Sequence, residues 1–349
     1  MPASATPRSY PPEPNITSDE AAEIILAGAT GLLYGNYIYY SYIIGAFHKF
    51  PEQIPKNALK YYKEALRVAD EIGFDPFSDE MIGVKIQVAA LFEKIEQYDK
   101  AIGVLEIIKS DNLKWMEALG DKPGNEAKRT RVLKKTVQVS VKLGDLYACP
   151  YILETEKAEE SLVWAVQTVM QEKRRVESAG VEVEQGDWLS DEEQGAALET
   201  LAHHYEEKDH HYLAAPLFLQ AITFSQPVNC HTTVLMNNLS ISLAQQLPPP
   251  SAKASATRTQ LVSNAKQWAE KAISITAAIK DPERTEECDV SCAVATHNLG
   301  EFAEMLGDVK EARKRFLEAM NLAQKVGFKE GVVNSGMALR RLDDSEKKS

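Results

Sequence analysis

A chain of 349 residues with a net charge of −12 is long enough for a sizeable core and carries the wrong sign for nucleic acid, whose phosphates demand a basic footprint. Its four cysteines (Cys149, Cys230, Cys288, Cys292) are too few for a disulfide-built scaffold. Cys288 and Cys292 stand one helical turn apart, but no second pair or histidine set completes a metal site, so all four are expected as buried structural thiols. The sequence holds no Gly-x-x-x-x-Gly-Lys-Ser/Thr phosphate loop, no His-Glu-x-x-His zinc motif and no Gly-x-Ser-x-Gly nucleophile turn. No cofactor and no enzyme activity are expected.

In chain order, residues 1–22 hold five prolines among Ser, Thr and acids, a composition that cannot bury enough apolar surface to fold, and a disordered tail is expected. One arginine among several acids does not suit a mitochondrial transit peptide. Ile24 to Phe47 then runs without a charged residue. As a helix it would be about 36 Å long, enough for a bilayer core of about 30 Å. Gly31 and Gly35 have the spacing that lets membrane helices pack closely, and Tyr37, Tyr39, Tyr40 and Tyr42 gather toward one end as interfacial aromatics do. Residues 23–47 are therefore expected as a single transmembrane helix, with a buried first helix of the following domain as the alternative. Lys49, Lys56 and Lys60 follow the run against Arg8 before it, which would hold the C-terminal side on the side of insertion.

From there one pattern recurs six times: an alanine, a second residue four positions on, and a third three further. It reads Ala58–Tyr62–Ala65, Ala101–Leu105–Ile108, Ala158–Leu162–Ala165, Ala214–Phe218–Ala221, Ala265–Ala269–Ala272 and Ala312–Phe316–Ala319. Spacings of four and three share one helical face. The alanines let a neighbouring helix approach, and the bulky residue fills the gap. Ahead of five copies lies another helical segment: Val88-Ala89-x-x-Phe92, Leu143-Gly144-x-x-Tyr147, Leu201-Ala202-x-x-Tyr205, Leu239-Ser240-x-x-Leu243 and Leu299-Gly300-x-x-Ala303. Its small residue precedes the alanine by twelve positions in three copies (89 to 101, 202 to 214, 300 to 312). Leu243, Ala269 and Ala303 stand where aromatics are expected, so those copies should pack less tightly.

These paired motifs resemble the tetratricopeptide repeat, two antiparallel helices in about 34 residues. The resemblance covers roughly residues 56–326 and implies an all-α fold, a tetratricopeptide-type α-solenoid of about five to six helix pairs over residues 48–327. Composition marks 117–128, 178–190 and 247–258 as loops inserted between helices. Residues 328–349 are expected as a capping helix and tail, with Arg340 and Arg341 on a polar outer face.

A narrower resemblance rests on Phe47-His-Lys-Phe-Pro51, Ala58-Leu-Lys-Tyr-Tyr-Lys-Glu-Ala-Leu66, Asp75-Pro-Phe-Ser-Asp79 and Val84-Lys-Ile-Gln-Val-Ala-Ala90. These stretches are similar to fungal mitochondrial tetratricopeptide adaptors of the i-AAA protease, although the spacer from Pro51 to Ala58 is shorter here. The resemblance implies a single-pass inner-membrane protein, anchored through residues 24–47, with its repeats facing the intermembrane space. Its partners would be an AAA-type membrane protease and the unfolded polypeptides it degrades. A scaffold for assembly of a respiratory or other membrane complex is the alternative.

Binding would then fall to the inner face of the first helices. Repeat phase assigns Glu199, His203, Glu206, Asn238, His297, Asn298, Glu301 and Glu304 to that groove, with Glu93 and Asp145 earlier. Asn238 and Asn298 match the asparagine position of repeats that clamp acidic chaperone tails. The lysines and arginines that must pair with such a tail are missing, so that partner is not expected. An acidic groove favours basic or mixed amphipathic segments, unless these acids are ordinary solvated faces. The run His203-His204-Tyr-Glu-Glu-Lys-Asp-His210-His211 could hold zinc by composition, but its side chains diverge by helical phase, so a solvated turn and no metal are expected.

Overall fold

The computed structural model describes residues 54–179, 188–247 and 254–348, and all regular structure among them is helical. Residues 24–47, on which the sequence predicts a membrane helix, lie outside the described residues, as does the N-terminal tail. Among the described residues no helix is long and apolar enough to cross a membrane. The chain divides into two compact units, Met1–Val139 and Ser140–Ser349.

The first unit contains α1 (Ile54–Glu71), α2 (Asp79–Lys94), α3 (Tyr98–Trp115), a π turn (Met116–Gly120) and the opening of α4 (Glu126–Ala148). The Ser78 hydroxyl caps α2 by accepting from the Met81 N–H at 3.2 Å. The short link from α2 to α3 makes them an antiparallel pair. Lys128 ties the start of α4 to Asp75 at 2.6 Å and lies 4.9 Å from the centre of the Trp115 ring.

The second unit continues α4 and adds α5 (Thr155–Ala179), α6 (Asp191–Glu207), α7 (His211–Phe224), α8 (Cys230–Gln245), α9 (Ala254–Ala278), α10 (Glu286–Met305), α11 (Val309–Val326) and α12 (Lys329–Lys348). From α5 to α12 successive described helices pack in pairs, and α8 also touches α10, as α10 touches α12. Contacts that skip one helix turn a row of hairpins into a solenoid. Capping boxes fix two starts: Ser190 with Glu193 on α6, and Asn229 with Thr232 on α8. Asp308 caps α11, and Gly327 ends it in the left-handed conformation at φ 76°. The predicted insertions are shorter than composition suggests, since α5 runs to Ala179 and α9 begins at Ala254.

Packing explains the alanine pattern. In the five copies from Ala101 onward, every motif side chain on α3, α5, α7, α9 and α11 is at most 2% exposed. Gly144 and Gly300 on the facing first helices leave room for Leu162 and Phe316, and a Cβ at either would overlap those side chains. Where Ala269 replaces a bulky residue, Phe302 fills the space. It shares a buried cluster with Ala265, Ala269 and Leu299, one position before the expected aromatic slot at Ala303. That copy is therefore filled rather than loose.

The cysteine expectation is corrected. Cys230 and Cys288 form a disulfide between the N-terminal ends of α8 and α10, with Cα atoms 4.7 Å apart, while Cys149 and Cys292 stay free. The reason is topological: first helices of successive repeats run side by side, so residues 58 apart in sequence meet.

Candidate functional site

The first helices α6, α8 and α10 of the second unit carry the eight predicted groove residues, and α12 packs beside α10. Glu199, on α6, is the centre of one cluster. Its carboxylate accepts from His231 Nε2 of α8 at 2.9 Å and faces His203 Nε2 at 3.6 Å. His203 Nδ1 lies 3.1 Å from Glu206, and His231 Nδ1 lies 2.9 Å from Glu287 of α10. The Ser242 hydroxyl donates to Glu206, and the Asn238 amide lies 3.4 Å from His203. Burial alone would raise the Glu199 pKa, but hydrogen bonds from His203 and His231 bring it down to about 2. Hydrogen bonding to Glu199, then Glu206, raises His203 to about 9. His231 also rises to about 9, through Glu199 against burial and then through Glu287. Both imidazoles are therefore cationic at neutral pH, and two cations stand among three carboxylates.

The second cluster lies toward the end of the solenoid. Arg341 of α12 reaches back to α10, donating to Glu301 at 2.8 Å and to both oxygens of Glu304 at 2.6 and 3.0 Å. Arg341 is exposed, as expected of a polar face, and from α12 its side chain spans to α10. His297 Nδ1 lies 3.0 Å from the Ser335 hydroxyl, and burial pushes its pKa down, so it is neutral. Asn298 is 5% exposed, and its Nδ2 has no hydrogen-bond partner in the protein. Beside it a cleft of about 410 Å³ opens between α8, α10 and α12, walled by Ile241, Val294, Phe302 and Phe328, with Asn334 at its edge.

The eight predicted residues thus form two groups, Glu199, His203, Glu206 and Asn238 in one and His297, Asn298, Glu301 and Glu304 in the other. Glu93 stands apart on α2 of the first unit, and Asp145 lies on α4. Sequence phase misses His231 and Arg341, the cations that pair with the acids, and Glu287 and Ser335, which hold His231 and His297. The signal available for Cys230 and Cys288 was their shared place at the starts of consecutive first helices. The four-histidine run does not converge: His203 faces the groove, His204 is buried with neither ring nitrogen hydrogen-bonded, and His210 and His211 lie at the start of α7. Among the described residues no group of three or more His, Cys, Asp or Glu could hold a metal ion.

Motif phase and paired, stacked helices define a tetratricopeptide-type repeat protein, a fold suited to scaffolding other proteins, and no catalytic family is indicated. In particular, the chain is similar to a tetratricopeptide repeat-containing protein of Schizosaccharomyces pombe, 26% identical over 290 residues that cover 82% of this chain and 72% of that one. No family model matches. Among solved structures, BtubC from P. vanneervenii aligns over 88% of this chain and 92% of its own, at 13% identity and a TM-score of 0.46. The tetratricopeptide-like repeats of a Podospora anserina kinesin light chain align over 69% and 94%, at 15% identity and a TM-score of 0.45.

Proposed function

We propose that this chain is a non-enzymatic binding adaptor whose first-helix face holds extended segments of unfolded polypeptide. The observation that carries the reading is the groove itself: polar side chains already paired with one another, an open apolar cleft, and a buried amide left without a partner. Surfaces of that kind hold a chain rather than transform it. The narrower proposal, delivery of substrates to an AAA-type membrane protease at the mitochondrial inner membrane, rests on the sequence resemblance around Phe47–Pro51 and Ala58–Leu66. The Cys230–Cys288 disulfide supports an oxidising compartment for the repeats, as the intermembrane-space reading requires.

The test is a pull-down of the full chain in mild detergent from mitochondria, with carbonate extraction alongside. An AAA protease in the eluate and a bait that resists carbonate are expected. Stoichiometric recovery of one folded respiratory complex, with no protease, would replace the adaptor by an assembly scaffold.

A further inference from the structure

We propose that two copies of this chain pair through α12, antiparallel about a twofold axis that passes between Gly336 and Met337. Such pairing is independent of what the groove holds.

α12 closes the row of described helices, and its buried Ser335, Ala338 and Leu342 face α10 and α11. On the opposite side, at helical spacing, run Lys329, Val333, Met337, Arg340 and Asp344, all exposed. The outer face of a terminal repeat is expected to be polar. Yet Val333 is 57% and Met337 58% exposed. Beside them Gly336 has open space where a Cβ would stand, with nothing within 4 Å. Gly144 and Gly300 show how this chain uses such space: Leu162 or Phe316 of the facing helix occupies it. Among the described residues nothing does so at Gly336.

The order of charges along this face selects the occupant. Lys329 stands at one end and Asp344 at the other. A parallel copy would set lysine on lysine and aspartate on aspartate. A reversed copy sets Lys329 against Asp344 at both ends, lays Val333 on the alkyl stem of Arg340, and puts Met337 into the space at Gly336. The neighbour of Asp344 on its own helix is Lys347 at 3.7 Å, and both are well exposed, so that pair holds the carboxylate only weakly. Asn334 and Arg341 lie on the flank toward α10, so the groove of each copy stays open. One helix crossing is smaller than a standard interface of about 1,600 Å², so the pair should dissociate on dilution.

The test is crosslinking of the full chain in mild detergent with a short bismaleimide, read as dimer on a denaturing gel. Wild type, with Cys149 and Cys292 free, sets the background. Met337→Cys lies beside the axis and should give dimer several-fold above it. Lys347→Cys, also exposed, would stand about 32 Å from its counterpart in the reversed pair and should stay at background. On the Met337→Cys chain, Lys329→Asp should lower the dimer about fivefold, because two symmetry-related pairs are reversed, and adding Asp344→Lys should restore it. Gly336→Leu fills the space and should lower the yield without lowering the melting temperature of the dilute chain. Met337→Cys at background would overturn the proposal. Equal yields from Met337→Cys and Lys347→Cys, or a charge swap that restores nothing, would overturn it as well. The protease pull-down is read separately, so the adaptor reading stands or falls on its own.

Discussion

A methyl group added at Gly300 would come within 2.6 Å of the Phe316 ring, whereas at Gly336 it would meet nothing within 4 Å. Both glycines lie within helices, so the same substitution should act in opposite directions. Gly300→Ala is expected to destabilise the chain by about 1–3 kcal/mol through overpacking. Gly336→Ala should stabilise it by about 0.5–1 kcal/mol, because the unfolded chain loses freedom and nothing clashes. Paired denaturant melts check both. The histidine cluster gives a pH prediction with a definite sign. His203 and His231 stand at about 9 in the fold against 6.5 ordinarily, so their contribution is complete below 6.5 and fades as pH rises through 9. Glu199, at about 2 against 4.5, contributes above 4.5 and fails as pH falls through 2. A His203→Gln/His231→Gln double variant should melt below wild type near pH 6 and approach it near pH 9.5. An equal gap at both values would remove the ion-pair account.

At the scale of helices, the bond between α8 and α10 is the feature most open to direct chemistry. Alkylation of the denatured, unreduced chain should mark only the two free cysteines, Cys149 and Cys292, and after reduction Cys230 and Cys288 as well, as read by intact mass. Reduction should lower stability by about 2–4 kcal/mol, since it releases a long loop in the unfolded chain. This pair and the neighbouring α7 show what sequence could reveal. Ala214, Phe218 and Ala221 announce their burial locally, because helical periodicity is written in spacings of three and four. Cys230–Cys288, His231–Glu287 and Thr233–Ser291 join residues 56 to 58 apart, and their meeting depends on how one repeat settles on the next. Phe302 was hidden for a related reason. The repeat phase places an aromatic at position 303, but the space left by Ala269 is reached from one residue earlier.

Across the whole molecule, net charge is a poor guide to what the groove offers. The chain carries −12, yet the acids that repeat phase exposes are answered by His203, His231 and Arg341. Arg341 comes from the final helix, outside the motif pattern, so the sequence shows the acids of α10 and hides their counter-ion. Arg341→Ala should leave Glu301 and Glu304 unanswered and tighten binding of a lysine-centred peptide several-fold at low salt. The gain should disappear on raising the salt to about 0.5 M, where screening is short-ranged. An affinity unchanged at low salt would mean that these carboxylates do not face the bound chain.

The disulfide also has a mechanical side. It pins α8 and α10 at their N-terminal ends, and Ser291 receives bonds from Thr233 and Asn237 less than two turns beyond. The cleft begins just beyond, at Ala293 and Val294, and runs to the far ends near Ala244, Gln245 and Met305. From Cys230 to Gln245 a helix rises about 22 Å. The covalent tie therefore fixes how far apart α8 and α10 start, and with it the width of the floor on which the cleft is built.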